Sequence, residues 1–352
     1  MSLKKKLPAK KLINIGIFLI VYALLLFVAD TFLNPYILRI INVIGINVIL
    51  AMSLNLTNGF VGTFSLGHVA FMGIGAYISS ILTLPVEKKA MMIPDLPGWL
   101  LNTELGFLPA LLLGAVVAAF FALLIGVSVL RLKGHYLALS TLGFMVILQK
   151  LLVNLEKYTK GARGINGIPG HTNIWWIYGI ALVTFVVLWH LINSRFGRSM
   201  KAIREDESAA QSFGINPFKY KLLAFTVGAV FAAIAGGLWA HVIQAITPGS
   251  FYYVQTFSIV MMVILGGAGS LSGSIIGATL ITIFPEFMRF FERGEVVFGI
   301  QLPQLYGLSN VAIAVFMVII LIYRPGGIMG TKEINFKNLK MPRFLKPKAN
   351  KP

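Results

Sequence analysis

A chain of 352 residues with 57% hydrophobic residues, 12% charged residues and a mean hydropathy of +0.83 belongs to the membrane class, because a soluble domain would carry about twice that share of charge. The absence of cysteine excludes disulfides, thiolate catalysis, zinc–thiolate sites and iron–sulfur clusters. The formal charge of +18 reads as Lys and Arg on the cytoplasmic side of membrane spans, so no nucleic-acid partner is expected.

The basic start MSLKKKLPAKK (1–11) leads into an apolar block at 12–33. That block is long enough to span and has no small-residue cleavage site after it, so it reads as a retained first helix rather than a signal peptide. Further apolar blocks follow near 37–56, 63–84, 107–130, 135–153, 174–192, 222–245, 257–290 and 304–323. The 257–290 block is too long for one crossing and is interrupted by GGAGSLSG, so two half-spans or a helical hairpin are expected there. The fold class is an all-α polytopic membrane protein with 8–10 transmembrane helices and interrupted Gly-rich segments, re-entrant if the count is eight.

Charge orients these blocks. With the N-terminus inside, segments 1–11, 57–62, 131–134, 193–221 and 324–352 are cytoplasmic and hold most of the 30 Lys and Arg residues. Of the 12 acids only Glu205, Asp206, Glu207 and Glu333 fall on that side. The positive-inside rule supports this arrangement, with both termini cytoplasmic and loops 85–106 and 154–173 outside. The expected organisation is a basic cytoplasmic start (1–11), a transmembrane domain (12–323) and a basic tail (324–352) lying disordered near anionic lipid.

Much chemistry is missing. No Gly-Lys dipeptide occurs, so there is no phosphate-binding loop of the GxxxxGK[ST] form. The five histidines show no metal-ligand spacing, and there is neither a GxSxG elbow nor a convincing acid pair. No catalytic residue, metal or cofactor is expected.

Two Gly-rich stretches lie at membrane depth. SLGHVAFMGIGAYISS (65–80) contains Ser65, Gly67, His68, Gly73 and Gly75. LGGAGSLSGSIIGA (265–278) contains Gly266, Gly267, Gly269, Gly273 and Gly277, the last three in a GxxxGxxxG series. They share a faint pattern, with Ser65, Leu66, Gly75 and Ala76 matching Ser270, Leu271, Gly277 and Ala278 at different spacing. Helix packing accounts for any one of these glycines. Two interrupted spans together point to a translocation path, with these residues as candidate lining. His68 is either a functional ionisable group or a neutral imidazole donating to a nearby carbonyl.

Residues 198–221, RSMKAIREDESAAQSFGINPFKYK, break the apolar pattern. Met200, Ile203, Ala210 and Phe213 give partial helical periodicity interrupted at Glu207. Gly214 suits a helix stop, and Asn216–Pro217 suit the cap and first position of the next helix. A short helix held between two spans can act as a handle for a partner. A topology anchor needs only Lys and Arg, yet this segment carries three consecutive acids.

The order of FSLGHVAFMGIGAY (64–77), GINGIPG (164–170), SRFGRSMKAIREDESAAQSFGINPFKYKLLAF (194–225), LGGAGSLSGSIIGA (265–278) and YRPGGIMG (323–330) resembles the LivM-type permease subunits of bacterial ATP-binding-cassette importers for branched-chain amino acids. The resemblance implies a cytoplasmic coupling segment with Arg198, Arg204, Glu205, Asp206, Glu207, Ala209, Ala210 and Gly214, docked on a separate ATPase. The general importer loop reads Glu-Ala-Ala, three residues, Gly. Ala209, Ala210 and Gly214 fit it, whereas Ser208 stands where the Glu would be and Glu207 lies one position early. The implied partners are a LivH-type second permease subunit, two cytoplasmic ATPase subunits, an extracytoplasmic substrate-binding protein, a small-molecule substrate and membrane lipid. The implied location is the bacterial cytoplasmic (inner) membrane. Related permeases would carry urea, short amides or aromatic acids instead. An ion-coupled secondary transporter is the reading from a different class, and the scarcity of carboxylates at depth disfavours it.

Overall fold

A computed structural model describes residues 9–292, 296–297, 300–301 and 307–333. The expected basic termini fall outside these residues, except for 9–11 and 324–333. The main helices are α1 (Ala9–Phe32), α2 (Pro35–Asn55), α3 (His68–Thr83), α4 (Val86–Met92), α5 (Phe107–Val129), α6 (His135–Asn154), α7 (Ile174–Asn193), α8 (Arg195–Glu205), α9 (Glu207–Ser212), α10 (Pro217–Ile243), α11 (Tyr253–Gly266), α12 (Leu271–Glu292) and α13 (Leu308–Tyr323). Among the described residues, seven helical stretches are long and apolar enough to cross a membrane, and α3 with α4, bent by 114°, makes a broken eighth. The chain is a polytopic, multi-pass membrane protein.

Small residues set the packing. On α5, Ala110, Gly114, Ala118, Ala122 and Gly126 are buried at four-residue spacing, while Leu112, Val116, Phe120 and Leu124 are exposed. One face therefore meets protein and the other suits lipid. At the centre, α3 is buried along almost its whole length against α10. A Cβ added to Gly75 would overlap Ala233 O, and one added to Gly236 would overlap Met72 O. These two helices touch backbone to backbone, and α5 joins them where Gly114 meets Gly75.

The long 257–290 block is a helical hairpin, α11 and α12 joined at Gly267–Ser270. Helix α12 runs antiparallel to α2 along its full length. Three rungs tie them: Tyr36 OH donates to Glu286 at 2.7 Å, Asn47 Nδ2 to Thr282 Oγ1 at 2.9 Å, and Asn55 Nδ2 to Ser274 Oγ at 2.7 Å. Both arms of the hairpin are among the seven crossing-length stretches, as the hairpin reading of this block expected.

At the opposite end, a two-residue ribbon pairs β1 (Ile165–Asn166) with β2 (Ala245–Ile246), and Ile168 N donates to Gln244 O at 3.1 Å. The GINGIPG stretch therefore fastens the 154–173 loop to the end of α10. In the neighbouring loop, buried Lys89 donates to the carbonyls of Leu100 and Thr103.

Gly75→Ala and Gly236→Ala are each expected to separate α3 from α10 at a cost of roughly 1–3 kcal/mol. Gly143→Ala, where an added Cβ meets nothing within 4 Å, should cost nothing comparable. Thermal unfolding of the purified chain in detergent checks the contrast.

Candidate coupling and gating site

Both interrupted spans break at the same end of the bundle. The first leaves α2 through a π-helical turn, Leu56–Val61, and an extended stretch to Gly67 before α3 begins. The turn closes on Gly62, and Thr63 N bonds back to Thr57 O at 3.0 Å. Asn58 and Ser65 exchange bonds: Ser65 N donates to Asn58 Oδ1 at 3.0 Å, and Asn58 Nδ2 to Ser65 O at 3.2 Å. Leu66 N donates to Thr141 Oγ1 of α6 at 2.9 Å. Every one of these bonds repairs a backbone group that the break releases.

The second break is the hairpin tip. Fully buried Asn55, the last residue of α2, reaches across to it. Its Nδ2 donates to Ser270 O at 2.8 Å, and its Oδ1 accepts from Gly269 N at 2.9 Å. Gly269 holds φ +95°, a region that L side chains rarely adopt. The YRPGGIMG segment closes the tip from beyond α13. Ile328 N donates to Leu265 O at 2.8 Å, Met329 N to Gly266 O at 3.0 Å, and Ser270 Oγ to Lys332 O at 2.8 Å. Glu333 then caps α12, accepting from Leu271 N at 2.6 Å and Ser272 N at 3.0 Å. A carboxylate at a helix N-terminus satisfies orphan donors and complements the dipole.

The charged segment packs onto both breaks. It forms two helices rather than one. Asp206 separates them and caps α9, accepting from Ser208 N at 2.8 Å and Ala209 N at 2.9 Å. Met200, Ile203 and Ala210 are buried as the periodicity predicts, whereas Phe213 is 86% exposed. Gly214 carries φ +77° and ends the segment, and Asn216 caps α10 with Pro217 in its first turn.

The three acids have three roles. Glu205 points outward, Asp206 is a cap, and Glu207 turns inward to Lys221 at 2.8 Å, with Lys133 at 3.8 Å. Arg204 also turns inward, donating to Gly59 O at 3.0 Å. Arg198 and Ala209 are exposed, and Ala210 is buried. A cavity of about 350 Å³ lies between this segment, residues 61–64 and the 132–138 stretch, with Arg204, Glu207, Lys133 and Lys221 in its wall.

The other sequence candidates divide by neighbour. Gly67 faces Thr141, and Gly73 faces the ring of Phe251. Gly266, Gly273 and Gly277 bring α11 and α12 into backbone contact, whereas Gly269 belongs to the tip and Gly267 meets Gly330. His68 Nε2 lies 2.8 Å from Ser53 Oγ, whose hydroxyl also donates to Leu50 O at 3.0 Å. The neighbour of the buried imidazole Nε2 is therefore a hydroxyl. Asn55, Asn58 and Glu333 were not singled out from sequence. Asn55 precedes the first break and Asn58 lies within it, and an Asn beside a Gly-rich interruption is the available signal. Glu333 had none, because its target lies 61 and 62 residues away.

Residues 36–323 match the family described as branched-chain amino acid transport system / permease component. The chain is 32% identical over 318 residues to the high-affinity branched-chain amino acid transport system permease protein LivM of Salmonella typhimurium, covering 81% of this chain and 68% of that one. It is 31% identical over 329 residues to the LivM of Escherichia coli K12, covering 83% and 70%. It is also 26% identical over 307 residues to the LivH permease protein of Escherichia coli K12, covering 81% and 92%. No solved structure matches the chain.

Asn55→Ala is expected to orphan Gly269 N–H, at about 1–3 kcal/mol for the group left unsatisfied, while Ser270 O keeps its bonds from Ser274 N and Oγ. The tip should loosen, so that a cysteine placed at exposed Ala268 reacts faster with a maleimide and the melting temperature falls. Unchanged reactivity and stability would mean that Asn55 does not hold the tip.

Proposed function

The chain belongs to the branched-chain amino acid transport system permease family, and from that premise we propose that it forms one half of the membrane pathway of an ATP-binding-cassette importer whose cargo is branched-chain amino acids. The cargo follows the names of the relatives. The permease pair follows from the match to both LivM and LivH of one organism, two related chains of the same kind of system. Its other partners are two cytoplasmic ATPase subunits and an extracytoplasmic substrate-binding protein. The chain itself is not an enzyme and takes no cofactor, and ATP hydrolysis belongs to the partner. The membrane is the bacterial cytoplasmic membrane, with both termini inside.

One observation carries this reading. The α8–α9 segment presents an exposed outer surface while its inner surface is bonded to the first break and packed on the second. A partner gripping the outer surface would move both interrupted spans. Glu205 and Phe213 are the outward side chains suited to that grip, a charge and an aromatic anchor. The inward Glu207 instead keeps Lys221 from being a buried, unpaired charge. Within the pathway, a zwitterionic amino acid needs partners for both ends. Backbone groups and dipoles at broken helices supply them without charged side chains.

Co-expression with the cognate ATPase, followed by co-purification and by uptake of labelled leucine, isoleucine and valine into proteoliposomes, tests the assignment. Phe213→Ala is expected to weaken ATPase association about 10- to 100-fold, the loss of one aromatic anchor. Gly214→Val forces a β-branched residue into positive φ and costs about 1 kcal/mol or more. If both variants retain full association and full substrate-stimulated hydrolysis, the segment is only a charged loop.

A further inference from the structure

Arg204 occupies a position that docking does not explain. It lies in the last turn of α8, one residue before exposed Glu205, yet its side chain runs inward. Nη1 donates to Gly59 O, within the π-helical turn of the first break, at 3.0 Å. A Cβ on Gly269, in the hairpin tip, would overlap that same nitrogen. A Cβ on Gly62 would come within 3.0 Å of Arg204 Cγ. One guanidinium and its stem therefore lie against the backbone of both interrupted spans. The absence of side chains at Gly62 and Gly269 is what lets the arginine in, while the bare Gly59 makes room for Asn55 Oδ1 and Gly269 N.

The neighbours of Arg204 make this contact distinctive. The acid beside it, Glu205, lies 3.8 Å from Nε and is 78% exposed, so solvent competes for that pair. The firm partner is a neutral carbonyl. Lys201, one turn earlier, reaches the same π-helical turn over the ring of Phe60 at 5.8 Å from its centroid. Met200 and Ile203 add apolar burial. Asn55 bonds the tip to α2 without involving α8 at all. The tip thus has one tie to its own bundle through Asn55 and one contact with the coupling segment through Arg204.

We propose that Arg204 is the positioning residue that carries movement of the α8–α9 segment to both interrupted spans at once. This rests on the reading that α8–α9 is the ATPase-coupling segment. When a partner displaces α8, the guanidinium leaves Gly59 O and withdraws from Gly269. The tip then shifts against the π-helical turn, and the two breaks change together. When α8 returns, the planar donor re-enters the glycine-lined slot and restores one geometry. The fork of an arginine fixes direction in a way that a lysine ammonium does not.

The test uses the full chain with its second permease subunit, ATPase and binding protein in liposomes, comparing wild type, Arg204→Gln and Arg204→Lys. Because the chain has no cysteine, spin labels at Phe64→Cys and Ala268→Cys report the distance between the two breaks. Arg204→Gln should keep ATPase co-purification and basal hydrolysis within about twofold of wild type. It should lose roughly tenfold or more of substrate-stimulated hydrolysis and uptake, each tenfold being 1.4 kcal/mol of coupling. The nucleotide-dependent change in label distance should vanish in the same variant. Arg204→Lys should fall between the two. Two results would overturn the proposal: Arg204→Gln retaining both stimulation and the distance change, or losing ATPase association outright, which would make Arg204 a docking or folding residue. A wild-type chain that captures no ATPase would remove the functional reading itself and this proposal with it, so the two failures are distinguishable.

Discussion

Backbone groups shut away from water cannot be left unpaired, and this protein interrupts its helices twice in largely buried stretches, at 56–67 and 267–270. Its architecture at one end of the bundle follows from repairing those interruptions. Asn55 supplies an acceptor to Gly269 and a donor to Ser270, Asn58 supplies the same pair to Ser65, and Glu333 accepts from the first donors of α12. Carboxamides suit the task because each carries both a donor and an acceptor and no charge. The repairs also draw the two breaks against one another, since Asn55 belongs to one span and its partners to the other.

That constraint explains the glycines better than any pathway argument made from sequence alone. A GxxxG series suggests one packing stripe, but Gly269 lies in the tip while Gly273 and Gly277 face α11. The series is therefore divided between a turn that needs positive φ and a helix pair that needs close approach. The spacing of glycines along the chain does not distinguish these, because both demand the missing Cβ. The membrane class, the interruption of the 257–290 block and the caps at Gly214 and Asn216 were legible because each depends on local residue chemistry. Helix α9's cap at Asp206 was equally local but was hidden among three acids that look alike in sequence. Phe213 shows the limit of periodicity: it follows the apolar spacing of Met200, Ile203 and Ala210, and the helix break at Asp206 turns it outward. Glu333 was illegible for the opposite reason, since nothing near it in sequence indicates a helix N-terminus more than sixty residues away.

The two halves of the bundle are held by different physics. Helices α3, α5 and α10 meet through backbone contacts at Gly75, Gly114 and Gly236, where any added atom collides. Contacts of that kind are short-ranged and steep, so they favour one arrangement and resist sliding. The end with the two breaks adds to such contacts, at Gly59 with Gly269 and Gly267 with Gly330, a set of directional hydrogen bonds around Asn55, Arg204 and Glu333. Such bonds can be exchanged for others, including bonds to water, at modest net cost.

The position of YRPGGIMG extends this division to the last helix. Helix α13 is followed by Arg324 and a glycine-rich return that lays Ile328 and Met329 against the end of α11, where they bond to Leu265 O and Gly266 O. A Cβ on Gly267 would overlap Gly330 O and N, whereas Gly330 is constrained by its φ of +57° rather than by space. The return therefore satisfies the last carbonyls of α11. A tip held on one side by Asn55, on a second by Arg204 and on a third by residues 328–333 cannot move toward one of these without changing its distance to the others. The hairpin tip is thus the point where the α8–α9 segment, the first break and residues 324–333 meet.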